Sequence, residues 1–314
     1  MKILFTSVGR RVELMQAFRN AAEKANIDLE IYGADITETA PALAFCDHSI
    51  IVPRIKDPDY IPALQKVCAE EQIDALIPTI DTDLLLLAEK QNEFGNTKVV
   101  ISAPEKIAIC RDKRYTADYF NSVGLKSPHP VDDYKAYNGG YPAFIKPKDG
   151  SSSIFAYKVN SAEELVSYAA QVPDYIIQPY IEGTEYTVDA FCDFDGNAIF
   201  ITPRIRLAVR SGEVLKTEIA QNDEIIAEMQ RLIADYKPCG QITVQLIRQK
   251  DTGEDYYIEI NPRFGGGAPL SIKAGADSAE ALLRLLNGEK LQYQEKAAED
   301  GAVYSRFDQS IRVK

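Results

Sequence analysis

Tryptophan is absent from the 314 residues, methionine occurs three times and histidine only twice. Two histidines, His48 and His129, exclude a His-rich metal site and an H-E-x-x-H helix. Cysteine is sparse as well. Cys46, Cys68, Cys110, Cys192 and Cys239 are odd in number, scattered and never in a C-x-x-C pair. That pattern fits the reduced thiols of a cytoplasmic protein better than a disulfide framework or a zinc ribbon. No apolar run approaches the roughly 20 residues of a membrane span, and the first residues are too short a run for a signal peptide. Positive charge is in deficit, with 35 Lys+Arg against 47 Asp+Glu and a net charge of −12. Such a field repels phosphate, which argues against a general nucleic-acid or anionic-membrane binder while leaving room for a local basic pocket. What is present, 46% hydrophobic and 26% charged residues, suits a soluble globular chain with a sizeable core and two or three compact units.

Residues 2–7 read as a buried strand ending at a glycine turn, and Val12, Leu14, Met15, Phe18 and Ala22 recur at helical spacing. Strands at 29–33, 49–52, 75–78 and 98–101 alternate with helices at 60–71 and 83–94. That alternation predicts right-handed βαβ units and a parallel, doubly wound sheet. Ligands of such a sheet sit beyond the carboxyl ends of its strands, where Arg10, Arg11, Asp81 and Asp83 lie. After Pro104 a connector helix is expected over 105–123. Strands then predominate, at 143–147, 154–159, 175–178, 184–192, 198–206 and 214–219, broken by one helix at 162–170. Consecutive strands with hairpin signals indicate antiparallel, α+β architecture. A helix at 223–236, two strands around Gly253 and a helix at 278–286 follow, and the polar tail offers one candidate strand at 303–307. The expected segments are 1–104, 105–181, 182–290 and 291–314.

Four constellations could carry chemistry. Alternation along 242–247 sets Val244 and Leu246 on one face and Gln245 on the other. Across the Gly253 turn it sets Ile258 and Ile260 inward and Glu259 and Asn261 outward. Antiparallel pairing would gather Gln245, Glu259 and Asn261 into an oxygen cluster of the kind Mg²⁺ prefers; a solvent-facing strand surface would look the same. Arg263 and the glycines at 265–267 follow at once, allowing a backbone to approach a charged ligand gripped by a guanidinium. The turn Asp149, Gly150, Ser151, Ser152, Ser153 suits a flap over phosphates or a plain hairpin, and Lys146 lies in an apolar strand where an ammonium needs an anionic partner. Gln178, Pro179, Tyr180 and Ile181, followed by Glu185, form an interrupted strand that could meet an adenine edge and a ribose, or simply an edge strand. Lys113 stands in a charged helical cluster, usually a solvated face.

In this order the four elements resemble the ATP-grasp superfamily, most closely the carbamoyl-phosphate-synthetase large-chain type of ATP-grasp ligase. The resemblance covers about residues 105–290. It implies a class of α/β plus α+β: an N-terminal pre-ATP-grasp parallel α/β domain, then an ATP-grasp fold of two α+β subdomains. It implies Lys113 and Lys146 as phosphate contacts, 149–153 as the phosphate loop, 178–181 as the adenine hinge and Glu185 as the ribose acid. Gln245, Glu259 and Asn261 would be the metal residues, and Arg263 and Lys146 the catalytic cations. Arg204, Arg206, Arg210, Lys273, Arg10 and Asp81 are the candidate substrate contacts, with surface ion pairs as the alternative. The implied cofactors are ATP and Mg²⁺, with Mn²⁺ as a substitute. The implied activity is cytoplasmic carboxylate–amine ligation through an acylphosphate, on a small carboxylate and an amine acceptor. The assembly considered is a homodimer, and neither nucleic acid nor membrane is an expected partner. Phosphoryl transfer to carbamate or bicarbonate and a non-catalytic ATP-binding regulatory subunit are the other readings. A nicotinamide dinucleotide site is discounted because the turn at Gly9 lacks G-x-G-x-x-G.

Overall fold

The computed structural model describes residues 1–149 and 154–313. The chain opens with β1 (Lys2–Thr6), α1 (Val12–Ala25), β2 (Glu30–Asp35), β3 (His48–Ile51), α2 (Tyr60–Glu70), β4 (Ala75–Pro78), α3 (Leu84–Lys90) and β5 (Lys98–Val99). The five strands are parallel in the order β3-β2-β1-β4-β5. Ile3, Leu4 and Phe5 are buried in succession, as a strand covered by helices on both faces requires. Helix α1 seals one face with Leu14, Met15, Phe18, Ala21 and Ala22, and stops where Asn26 turns left-handed. Strand order reverses between β1 and β4. The turns after those two strands therefore frame the crevice, and Arg11 and Asp81 stand on them.

The expected connector helix is two helices, α4 (Pro104–Arg111) and α5 (Lys113–Ser122). Asp112 breaks it, because its carboxylate accepts the N–H of Arg114 and caps α5. The break lets the Lys113 N–H donate to the carbonyl of Lys148 at 2.8 Å, tying the connector to the strand beyond it. That strand, β6 (Ala143–Pro147), lies between β7 (Tyr157–Val159) and β8 (Tyr175–Pro179) in a small antiparallel sheet backed by α6 (Ala162–Ala169). Ala143, Ile145, Val159, Leu165, Val172 and Ile177 give this sheet an apolar cluster of its own.

The large sheet holds β9 (Gly183–Cys192), β10 (Ala198–Arg210), β11 (Glu213–Ile219), β12 (Gly240–Gln249), β13 (Asp255–Asn261) and β14 (Val303–Ser305), in the order β13-β12-β9-β10-β11-β14. Val188, Ala190, Ile242, Val244 and Ile260 point to α7 (Asp223–Tyr236), whose Ile225, Met229 and Ile233 complete that core. The intervening Thr187, Asp189, Thr243, Gln245, Glu259 and Asn261 alternate to the other face. One inward residue differs from expectation. The register slips after Gln245, so Ile258 is only half-buried and Tyr257 enters the core beside Phe120. Helices α8 (Ala268–Lys273) and α9 (Ser278–Leu286) follow, and Leu282 and Leu283 of α9 share one cluster with Phe5, Met15 and Phe18. The tail then returns to the large sheet, where β14 pairs with β11. All five cysteines are free, and no helix among the described residues is long and apolar enough to cross a membrane.

Candidate active site

A cleft of about 260 Å³ runs between the crevice of the parallel sheet, the connector and the polar face of the large sheet. Gln245, Glu259, Asn261 and Arg263 line it together with Lys113, Asp149, Arg11, Asp81, Arg204 and Arg206. The pairing drawn from alternation is observed: Gln245 is opposite Glu259 and Thr243 is opposite Asn261. Asn261 Nδ2 donates to Glu259 Oε1 at 3.0 Å, and Gln245 Oε1 accepts from Arg206 Nη1 at 2.8 Å. The trio thus offers one carboxylate and two amide oxygens, a hard-oxygen donor set that fits Mg²⁺ or Mn²⁺ once phosphate oxygens join it. Gln245 enters that set with one lone pair already engaged by a guanidinium. Among the described residues no group of three or more His, Cys, Asp and Glu could hold a metal, so an amide-containing set is the one this cleft provides.

Lys146 is buried at the end of β6. Burial pushes its ammonium down to about 8, the nearby Lys113 pushes the same way, and Glu259 opposes both. Burial also lowers Lys113, while Glu259, Asp149, Asp112 and Asp81 raise it. Two desolvated ammonium groups near Glu259 make this end of the cleft suited to an anionic ligand. Asp149 is on the cleft wall; Gly150, Ser151, Ser152 and Ser153 lie outside the described residues. Beyond β6 the side chain of Gln178 is engaged, its Nε2 donating to the Pro128 carbonyl at 2.6 Å, and the Tyr180 N–H donates to the Pro142 carbonyl at 3.1 Å. Pro179, Tyr180 and Ile181 are half-buried. Glu185 is exposed and stands 3.6 Å from Arg206 Nε.

The candidate substrate arginines separate. Arg204 is buried at 2% exposure, its Nε donating to Asp189 Oδ2 at 2.8 Å. Asp189 also accepts from Thr243 Oγ1 at 3.1 Å and Ser271 Oγ at 2.7 Å, so the guanidinium is held rigidly in the cleft floor. Arg206 belongs instead with Gln245 and Glu185. Arg210 is not at the cleft: register slips after Arg206 and Ala208 carry it to an exposed pair with Asp308. Lys273 and Arg10 line a neighbouring cavity under the tail, Lys273 pairing with Glu13 at 2.8 Å. The adjacent Arg11 takes the cleft position, its Nη2 donating to the Thr79 carbonyl at 3.3 Å. Asp81 faces the cleft and clasps Arg263 through Nη2 at 2.6 Å and Nε at 3.0 Å. Asp83 does not face it. That carboxyl is buried, accepts from Tyr60 and Thr6, and is pushed up to about 6 by burial. Glu213, Thr187 and Thr243 also line the cleft and carry no signal in the sequence. Asp189 carries one, an acid inside the apolar run 188–191. Cys110 lines the cleft too, but burial pushes its thiol up to about 12, which keeps it protonated.

A family model described as "ATP-grasp domain" matches residues 110–267, and one described as "PylC-like, N-terminal domain" matches residues 3–101. A carbamoyl phosphate synthase large chain from Thermoanaerobacter pseudethanolicus is 26% identical over 223 residues, which is 63% of this chain and 20% of that one. This chain therefore spans about a fifth of such relatives. A 3-methyl-D-ornithine–L-lysine ligase from Methanosarcina acetivorans is 24% identical over 291 residues, 91% of this chain and 75% of the ligase. Among solved structures, the biotin carboxylase domain dimer of the Hydrogenobacter thermophilus 2-oxoglutarate carboxylase, in complex with MgADP and bicarbonate, superposes with a TM-score of 0.76. It is 18% identical and covers 96% of this chain and 73% of its own.

Proposed function

The chain belongs to the ATP-grasp family, and on that premise we propose that it is an ATP-dependent carboxylate–amine ligase that works through an acylphosphate. The observation that supports the reading is that Gln245, Glu259 and Asn261 share one sheet face of a cleft that Lys113 and Arg263 also line, with Glu259 acting electrostatically on both Lys113 and Lys146. In this reading ATP lies between the two antiparallel sheets, with its base against 178–181, its ribose near Glu185 and its phosphates beside Lys113, Lys146 and Asp149. Glu259, Asn261 and Gln245 would hold Mg²⁺, which when bound neutralises charge on the triphosphate. A carboxylate oxygen attacks the γ-phosphorus and the bond to the bridging oxygen of ADP breaks. The amine then adds at the acyl carbon, the C–O bond to phosphate breaks, and the nitrogen gives up a proton to the departing phosphate as the amide forms. Lys146, Lys113 and Arg263 stabilise the charge that spreads over the transferred group. No side chain is asked to be a covalent nucleophile.

The segments 1–104, 105–181, 182–290 and 291–314 are carried as crevice domain, small lid, central catalytic sheet and returning tail. A cytoplasmic location and a homodimer belong to the same proposal, the first supported by five unpaired thiols. The test is ADP release from MgATP across paired libraries of carboxylates and amines, with Glu259→Gln as the control. The variant should lose at least about a hundredfold in turnover with its fold intact. A complete blank despite measurable MgATP binding, or an unimpaired variant, refutes the reading.

A further inference from the structure

The end of the cleft at the parallel sheet is built differently from the half that Lys113 lines. Arg263, in reach of Asn261 on one side and clasped by Asp81 on the other, separates the two halves. Beyond it lie Arg11, from the turn after β1, Arg204 of β10 and Glu213 at the start of β11. The glycines after Arg263 seat these three groups. A Cβ on Gly266 would lie 2.9 Å from Arg11 Nη1 and 3.2 Å from Glu213 Oε1, and a Cβ on Gly267 would collide with Arg204 Nη2. Two guanidinium groups and a carboxylate therefore rest on consecutive residues, where any larger side chain would displace them.

These charges are not mutually satisfied. Arg11 Nη1 stands 3.7 Å from Glu213 Oε1, beyond hydrogen-bond length, while Glu213 Oε2 is taken by Arg306 at 3.1 Å. Arg204 spends Nε on Asp189, yet its Nη1 is buried with no hydrogen-bond partner among the described residues. A buried, unmatched guanidinium N–H is costly unless a ligand meets it. Burial, with the neighbouring Arg263, also pushes Arg11 down to about 10, while Glu213 and Asp81 oppose it.

We propose that Arg11, Arg204 and Glu213 form a zwitterion subsite that takes the carboxylate and the ammonium of an α-amino acid, one of the two substrates joined. The carboxylate enters at Arg11 in charge-assisted hydrogen bonds, with the unmatched charge of buried Arg204 in the cleft floor behind it. The ammonium, one carbon away, faces Glu213 Oε1 across the gap that the loose Arg11–Glu213 pair leaves. A simple amine would meet two guanidinium groups, and a simple acid would meet Glu213 without compensation, so each is disfavoured. The inference rests on the ligase reading only in taking this half of the cleft as the acceptor half.

The test is protection of Arg11 from phenylglyoxal, read by peptide mass spectrometry on the full chain with saturating MgADP. Proteinogenic amino acids are compared with the amines and the acids that lack their carboxylate or amino group. At least one amino acid should slow modification of Arg11 by about tenfold, and its truncated counterparts should not. Arg11→Gln, and independently Gly266→Ala, should abolish the matching amino-acid-dependent ADP release while MgADP affinity stays within about twofold. Lack of protection by every amino acid, or equal protection by the truncated compounds, overturns the subsite while MgADP binding stands. Failure of the ligase reading is a different result: no carboxylate–amine pair releases ADP although nucleotide binds, or Glu259→Gln is unimpaired.

Discussion

Lys146 allows the sharpest test, because a site built for a polyanion should be a poor place for an ammonium when the polyanion is away. Its side chain is buried and its pKa falls from 10.5 to about 8. A displacement of about 2.5 units corresponds to about 3 kcal/mol of charging cost in the folded state, an upper bound once local relaxation is allowed. The sign follows from proton counts. Below pH 8 folded and unfolded chains both carry the proton and the cost is fully present; between about 8 and 10.5 the unfolded chain binds more protons, so stability rises with pH. Lys146→Met keeps the length and removes the charge. It should therefore raise the apo melting temperature near pH 7 by up to about 4 °C for a chain of this size, with the gain shrinking above pH 8. The same variant should lose MgATP-dependent turnover. Calorimetric melting of both proteins at pH 7 and pH 9.5, without nucleotide, decides it. A variant less stable than the parent at pH 7 would show that Glu259 already compensates the ammonium, and the polyanion argument would fall.

MgATP binding should take up close to one proton near pH 9, where about nine in ten Lys146 side chains are neutral before the phosphates arrive. Titration calorimetry in buffers of different ionisation heat reads this directly, and apparent affinity should weaken as pH climbs past 8. Asp112→Ala removes the cap of α5 and should cost about 1 kcal/mol; because the same turn fixes Lys113, the KM for ATP should rise more than that loss of stability would cause. Leu282→Ala, in the cluster that joins α9 to β1 and α1, should cost about 2–5 kcal/mol in denaturant unfolding and leave ATP binding unchanged in the folded fraction.

What alternation can reveal, it revealed. Gln245 and Glu259 face each other because two regular strands meet in the register their hydrophobic residues demand, and Lys146 stood out as a charge inside an apolar strand. Alternation fails where regularity fails. A bulge puts Tyr257 where Ile258 was expected, and two slips past Arg206 take Arg210 out of the cleft. The choice between Arg10 and Arg11 depends on one turn, in which Gly9 adopts a φ of +43°, and no periodicity encodes it. The connector divides into two helices at Asp112, a residue whose capping role a charge pattern alone does not distinguish from a solvated helical face. The glycines after Arg263 were read as room for a ligand, whereas two of them make room for arginines.

The shared packing of the first strand and helix with α9 constrains how this protein can breathe. Both ends of the polypeptide contribute to a single oily interior, so parting the crevice domain from the central sheet would expose Phe5, Phe18 and Leu282 to water at once. The small three-stranded sheet is stabilised by a private cluster, so displacing it would leave both larger cores covered. On the proposed ligase reading, displacing the sheet that carries Lys146 would cost less apolar exposure than displacing the parts that carry Arg11 and Arg204, which the shared interior joins.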